Sequence, residues 1–143
     1  MTAARLEVGE GKEDRACGLW SGKICIRVMA MIEQYSFGRM VISGRAYNAD
    51  LKIINGRVVA DWWRKAGHLV EKDDVTDILA AKPQYLIIGK GKPGLMRVSG
   101  QLAAELQDLG IELVVEPTAS AVESFNRMVA AGRQVAAAFH LSC

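Results

Sequence analysis

Cysteine is scarce in this chain of 143 residues: Cys17, Cys25 and Cys143 are the full set. Their number is odd and no two stand in a C-x-x-C spacing, so neither a disulfide framework nor a structural metal site is expected. Free thiols in a reducing, cytoplasmic setting are the simpler reading. No apolar stretch reaches the roughly 18 residues of a helical membrane span. "LWSGKICIRVMAM" is apolar in patches, but Lys23 and Arg27 interrupt it and no small-residue cleavage site follows, so no secretory leader is read there. An excess of one charge is also missing. Eighteen basic and 16 acidic residues leave a formal net charge of +2, too little for the broad footprint of a nucleic-acid binder. The few aromatics show neither RNP nor zinc-finger spacing. Nucleic acid and membrane are therefore not expected as partners. Internal repeats and low-complexity linkers are absent as well.

What is present is a hydrophobic fraction of 50%, enough for one core at this length. Residues 1–30 stand apart, because "MTAARLEVGEGKEDRACG" carries charge and glycine without helical or strand period. They are expected to be a poorly ordered tail or an over-extended start, and residues 31–143 a single domain. The front of that domain reads as antiparallel strands: "RMVISG", then "AYNADLKII", then the hairpin "LKII-NG-RVVADWW", where Asn55-Gly56 suits a type I′ turn. Continued as a strand, this run puts Val59, Asp61 and Trp63 on one face and Val58, Ala60 and Trp62 on the other.

The second half changes period. Asp73 or Asp74 is expected to cap a short helix that buries Val75, Ile78 and Leu79 and stops before Pro83. "YLIIG" reads as a strand buried on both faces. Ser99 is expected to cap a helix with Leu102, Leu106 and Leu109 on one side and Gly110 just past its end. "IELVV" reads as the next buried strand, and Thr118 as the cap of a helix striped by Val122, Phe125 and Val129. "QVAAAFHL" is the last strand. The β-α-β-α-β order implies a mainly parallel sheet, and with the front hairpins the fold class is α/β (α+β).

The most obvious chemical signal is "GKGKPG", a G-x-G-x-x-G pattern directly after "YLII". A dinucleotide fingerprint needs its helix immediately after the loop. Here "LMRV" intervenes before Ser99 and Pro93 stiffens the loop. No G-K-[ST] follows either, which excludes a P-loop. Gly89, Lys90 and Gly91 remain candidates for a small anion, with a sharp turn as the simpler role. In "WWRKAGH", Trp62 and Trp63 cannot both enter one small core, so one of them is expected in a cleft, under a loop or at a partner surface, and Trp63 is kept as a binding candidate. Arg64 could stack on an indole or clamp a carboxylate, and His68 could act as an acid or base. Asn126, inside an apolar stripe, needs partners, either a ligand or the loop after "YLII". His140, Ser142 and Cys143 include nucleophile and base types, yet the sequence supplies no orienting group or oxyanion donor. No catalytic residue, cofactor or metal is assigned.

Taken together, "GRAYNADLKI", "WWRKAGH", "LIIGKGKPG", "VSGQLAAELQDLGIELVV" and "PTASAVESFNRMVAAGRQVAAAFHLSC" resemble the adipogenesis-associated Mth-domain-containing protein family. That family includes a mitochondrial respiratory complex I assembly factor. The resemblance covers residues 36–143, with Lys90 and Ser142 standing where many relatives carry other residues. It implies a three-layer α/β fold, and through the assembly factor it implies protein binding rather than a defined reaction. The leading expectation is a non-catalytic binding module with a protein partner. The alternative is a small-molecule or anion binder, an enzyme included, built on the Gly89 to Gly94 loop with Arg64, His68, Thr118 and Asn126 nearby.

Overall fold

The structure, a computed structural model, describes residues 31–142. The expectation for residues 1–30, and Cys143 with it, lies outside the described residues. The chain opens with an antiparallel meander, β1 (Ile32–Ser36), β2 (Arg39–Ile42) and β3 (Arg45–Tyr47). β4 (Leu51–Ile54) and β5 (Arg57–Val59) then form the anticipated hairpin, with Ile54 opposite Arg57. Asn55 and Gly56 both take positive φ, +53° and +78°, as a type I′ turn requires. "AYNADLKII" is not one strand. Residues 48–50 break it, and its two halves join different sheets.

Beyond the hairpin come β6 (Leu69–Val70), a 3-10 turn (Lys72–Asp74), α1 (Thr76–Ala81), β7 (Tyr85–Gly89), β8 (Arg97–Val98), α2 (Gly100–Asp108), β9 (Glu112–Glu116), α3 (Thr118–Ala130) and β10 (Val135–Phe139). The main sheet has five strands in the order β5-β4-β10-β7-β9. β10, β7 and β9 are mutually parallel and β4 is antiparallel to β10, so the sheet is mixed and the class is α+β. A short parallel pair, β6 with β8, was not anticipated; two residues are too few to show a period.

Strand alternation divides the core in two. Ile87, Ala137 and Phe139 face α3 and the meander, packing with Phe125, Met40 and Ile42. Leu86, Ile88, Ala136 and Ala138 face the other way, onto Ile78, Leu102, Leu106 and Trp62. This gives three layers, with "YLIIG" and "VAAAF" buried in the middle because both of their faces are covered.

Local expectations fared unevenly. Ser99 Oγ accepts from the Leu102 amide at 3.1 Å, the anticipated cap. Leu109 falls beyond the last turn of α2 and is 46% exposed, so it does not join Leu102 and Leu106. α1 is not capped by Asp73 or Asp74. Its N-cap is Val75, and Asp74 instead accepts from the Glu71 amide at 2.9 Å across the 3-10 turn. β9 lies at the sheet edge, so "IELVV" is only half-buried. Thr118 is the first residue of α3 rather than its cap, a position held by Pro117.

Candidate functional site

Strand directions create one busy edge. β10, β7 and β9 all end there, and β4 starts there, with Leu51 opposite Phe139. β5 runs antiparallel to β4 and returns the chain to the same edge. Topology thus gathers Asp50, the Trp62 to Arg64 segment, the Gly89 to Gly94 loop, the start of α3, and His140. Such a carboxyl edge is where open α/β sheets place their ligands.

Asp50, not singled out from the sequence, is the hub. Its Oδ1 accepts from the Leu141 amide at 2.8 Å. Its Oδ2 lies 2.8 Å from His140 Nδ1 and 2.8 Å from Arg64 Nη2. His140 Nδ1 therefore carries the proton and donates to the carboxylate. The 3.4 Å approach of Nδ1 to Arg64 Nη2 is then two donors converging on one oxygen rather than a hydrogen bond between them. Burial alone would push the Asp50 carboxyl up. The donors His140, Leu141 and Arg64, with the positive charge that His140 can carry, hold it below the ordinary carboxylate value instead.

Arg64 is buried by this pairing. Its guanidinium lies 4.5 Å above the Trp62 ring and donates from Nε to the Gly67 carbonyl. Trp62 is anchored in turn, since Nε1 donates to the Asp74 carbonyl at 2.9 Å and its amide donates to the Asp50 carbonyl at 2.8 Å. The two tryptophans are not on alternate strand faces, because β5 ends at Val59. Asp61, at φ +56°, turns the chain so that Trp62 enters the core while Trp63 stays 75% exposed. His68 stacks edge-on against His140, ring centres 5.2 Å apart.

The glycine loop is stitched to its surroundings. The amide of Lys90 donates to Glu116 O at 2.9 Å, that of Gly91 to Thr118 Oγ1 at 2.8 Å, and that of Lys92 to Ser142 O at 3.1 Å. Thr118 Oγ1 also donates to His140 O at 2.6 Å. The loop glycines are packing necessities: a Cβ on Gly91 would lie 2.2 Å from Ser142 O, and one on Gly89 2.7 Å from the Phe139 ring. The Lys90, Gly91 and Lys92 amides are therefore not available to an anion. β8 fills the gap before α2, so no helix receives a phosphate from this loop.

Asn126 lies away from this edge. Its Oδ1 accepts from the Ile32 amide at 3.0 Å and its Nδ2 donates to the Ile32 carbonyl at 2.7 Å. It clamps β1 where that strand bulges, and does not reach the glycine loop. Tyr35, also missed, donates to the Leu141 carbonyl at 2.9 Å, and burial, with the nearby Asp50 charge, raises its pKa. Both nearby hydroxyls, Tyr35 and Thr118, are thus committed to backbone carbonyls of the 140–141 segment. Among the described residues no group of three or more His, Cys, Asp or Glu is placed to hold a metal ion. A groove of about 420 Å³ lies at the opposite edge, lined by Ile54, Pro83, Val129 and Arg133 among others.

These features define a three-layer α+β domain whose carboxyl edge gathers Asp50, Arg64, Thr118 and His140. The same architecture occurs in solved structures. A protein solved under the name MT938 is 25% identical, with a TM-score of 0.68 over 80% of this chain and 99% of that one. A conserved hypothetical protein from Pyrococcus horikoshii is 20% identical, with a TM-score of 0.71 over 78% and 98%. A Mth938-like domain from Bordetella pertussis is 15% identical, with a TM-score of 0.60 over 78% and 85%. The DUF498/DUF598 family, proteins of unknown function, matches residues 32–140, and the chain belongs to it.

Proposed function

We propose that this chain is a non-catalytic docking module whose carboxyl edge, centred on Trp63, receives another protein. The observation that carries this reading is the position of Trp63, 75% exposed between two anchored residues. Trp62 is fixed by Asp50 and Asp74, and Arg64 by Asp50 and Gly67. The indole is therefore presented from a rigid base, which lowers the ordering cost of binding. Exposed tryptophan is unfavourable in isolation and is enriched among the residues that dominate interfaces. Phe37 and Leu95, 59% and 52% exposed, are carried by the turn and the loop that flank residues 141–142 at this edge.

The Asp50, Thr118 and Tyr35 oxygens beneath are engaged in internal bonds, which favours docking over small-ligand capture, while Arg64 Nη1 stays buried without a hydrogen-bond partner among the described residues. The resemblance to a family containing a complex I assembly factor supports the same class, including a role in assembling another complex. The reading places the chain in the cytoplasm, supported by cysteines without paired spacing. No helix of the described residues is long and apolar enough to cross a membrane. A photo-crosslinking amino acid at position 63 of the full chain, expressed in cells, tests the proposal. Discrete protein adducts are expected at 63 and not at the exposed control position Leu109. Equal labelling at both, or none at 63, refutes it.

A further inference from the structure

We infer that the segment seated on this edge is acidic, with carboxylates interleaved between apolar anchors; the inference rests on the docking reading above. The turn carrying Phe37 and the glycine loop flank one dipeptide, because the Gly38 amide donates to Leu141 O at 2.8 Å and the Lys92 amide to Ser142 O at 3.1 Å. Two of the apolar side chains at this edge, Phe37 and Leu95, have a cation close by in sequence. Arg39 follows Phe37, and Lys92 and Arg97 bracket Leu95. Arg39, Lys92 and Arg97 are exposed and Lys90 is half-exposed. None of these four enters any ion pair among the described residues.

The neighbouring acids do not neutralise them. Asp50 is committed to Arg64 and His140, Asp73 to Lys65, and Glu116 accepts from Ser124. Asp61, beside Trp63, faces solvent without an ion pair among the described residues, and Glu116 keeps its charge because its partner Ser124 is a neutral hydroxyl. The surface around Phe37 and Leu95 thus carries exposed apolar groups and unpaired cations together. Its complement alternates Asp or Glu with Leu, Phe or Trp, so that the apolar groups supply affinity and the charges supply register and on-rate. A phosphate backbone fits less well, because Asp61 would repel it where a base stacked on Trp63 would bring it.

Panning a random peptide display library on the full chain tests this. The enriched peptides are expected to be net acidic and to contain Leu, Phe or Trp. Synthetic copies should weaken about tenfold or more against Trp63→Ala. They should also weaken about fivefold or more against Lys90→Glu/Lys92→Glu, and in 0.5 M rather than 0.1 M NaCl. Peptides that are neutral or basic, yet still lost with Trp63→Ala, overturn the acidic partner and leave the docking reading standing. Peptides indifferent to Trp63→Ala, or no enrichment at all, overturn both. Competition of the peptides by a single-stranded oligonucleotide at equal concentration assigns the edge to nucleic acid and overturns the inference.

Discussion

Removing the Asp50 carboxylate is the most direct perturbation of this architecture. Asp50→Ala deletes the acceptor of three contacts, each 2.8 Å long: the Leu141 amide, His140 Nδ1 and Arg64 Nη2. Two of these donors carry or can carry charge. The side chains of Arg64 and Asp50 are only 6% and 17% exposed, so solvent cannot replace what is lost. Breaking a buried pair by removing one partner costs about 3–5 kcal/mol, because the remaining charge stays buried and uncompensated. That is a large share of the roughly 5–15 kcal/mol that separates folded from unfolded domains. Asp50→Asn keeps the shape and one acceptor oxygen, and should cost about 2 kcal/mol, the value of one charge-assisted bond. Urea denaturation at pH 7 reads these losses as shifts in midpoint at constant m. Adding Arg64→Met to Asp50→Ala removes the stranded cation, so the double variant should be more stable than additivity predicts by about 1.5 kcal/mol or more. Hydrogen exchange at the Leu141 amide should accelerate in both Asp50 variants. A loss below about 1 kcal/mol, or strict additivity with Arg64→Met, would reduce the pair to a solvated surface contact and remove Asp50 as the hub.

Three further outcomes are expected. Because the Asp50 pKa lies below its unfolded value, its contribution is complete above about pH 4–5 and is lost as pH falls through the folded value, so acid unfolding of Asp50→Asn should be flatter than that of the parent over this range; parallel curves would refute the assignment. Gly91→Ala places a Cβ 2.2 Å from Ser142 O at a φ of +88°, so it should destabilise by about 2 kcal/mol or more, and an unchanged urea midpoint would show that the loop relaxes freely. Asn126→Ala removes both bonds to Ile32 and should cost about 1–2 kcal/mol while raising exchange in β1; unaltered exchange there would show that β1 is held by the meander alone.

Much of this protein was legible in one dimension, and for local reasons. The Asn55-Gly56 turn, the Ser99 cap and the stop before Pro83 depend on a few adjacent residues. "YLIIG" and "VAAAF" declare strands covered on both faces because burial on both sides requires an uninterrupted apolar run. The α+β class follows from the order of those periods. The sequence could likewise say that Trp62 and Trp63 must part, though not which of them enters the core.

That choice belonged to the tertiary structure, through the left-handed backbone at Asp61 and the acceptors Asp50 and Asp74. The same holds for Asp50, which sits unremarked at the start of a strand until β10 brings His140 and Leu141 to it from some ninety positions away. Thr118 and Asn126 show the limit plainly. Thr118 was readable as a helix cap and Asn126 as an amide needing partners, but a side-chain oxygen carries no record of which distant amide will meet it. Capping and periodicity act within a turn or a strand and are written locally. Hydrogen bonds between segments are settled only when sheet order fixes which ends of the chain lie side by side.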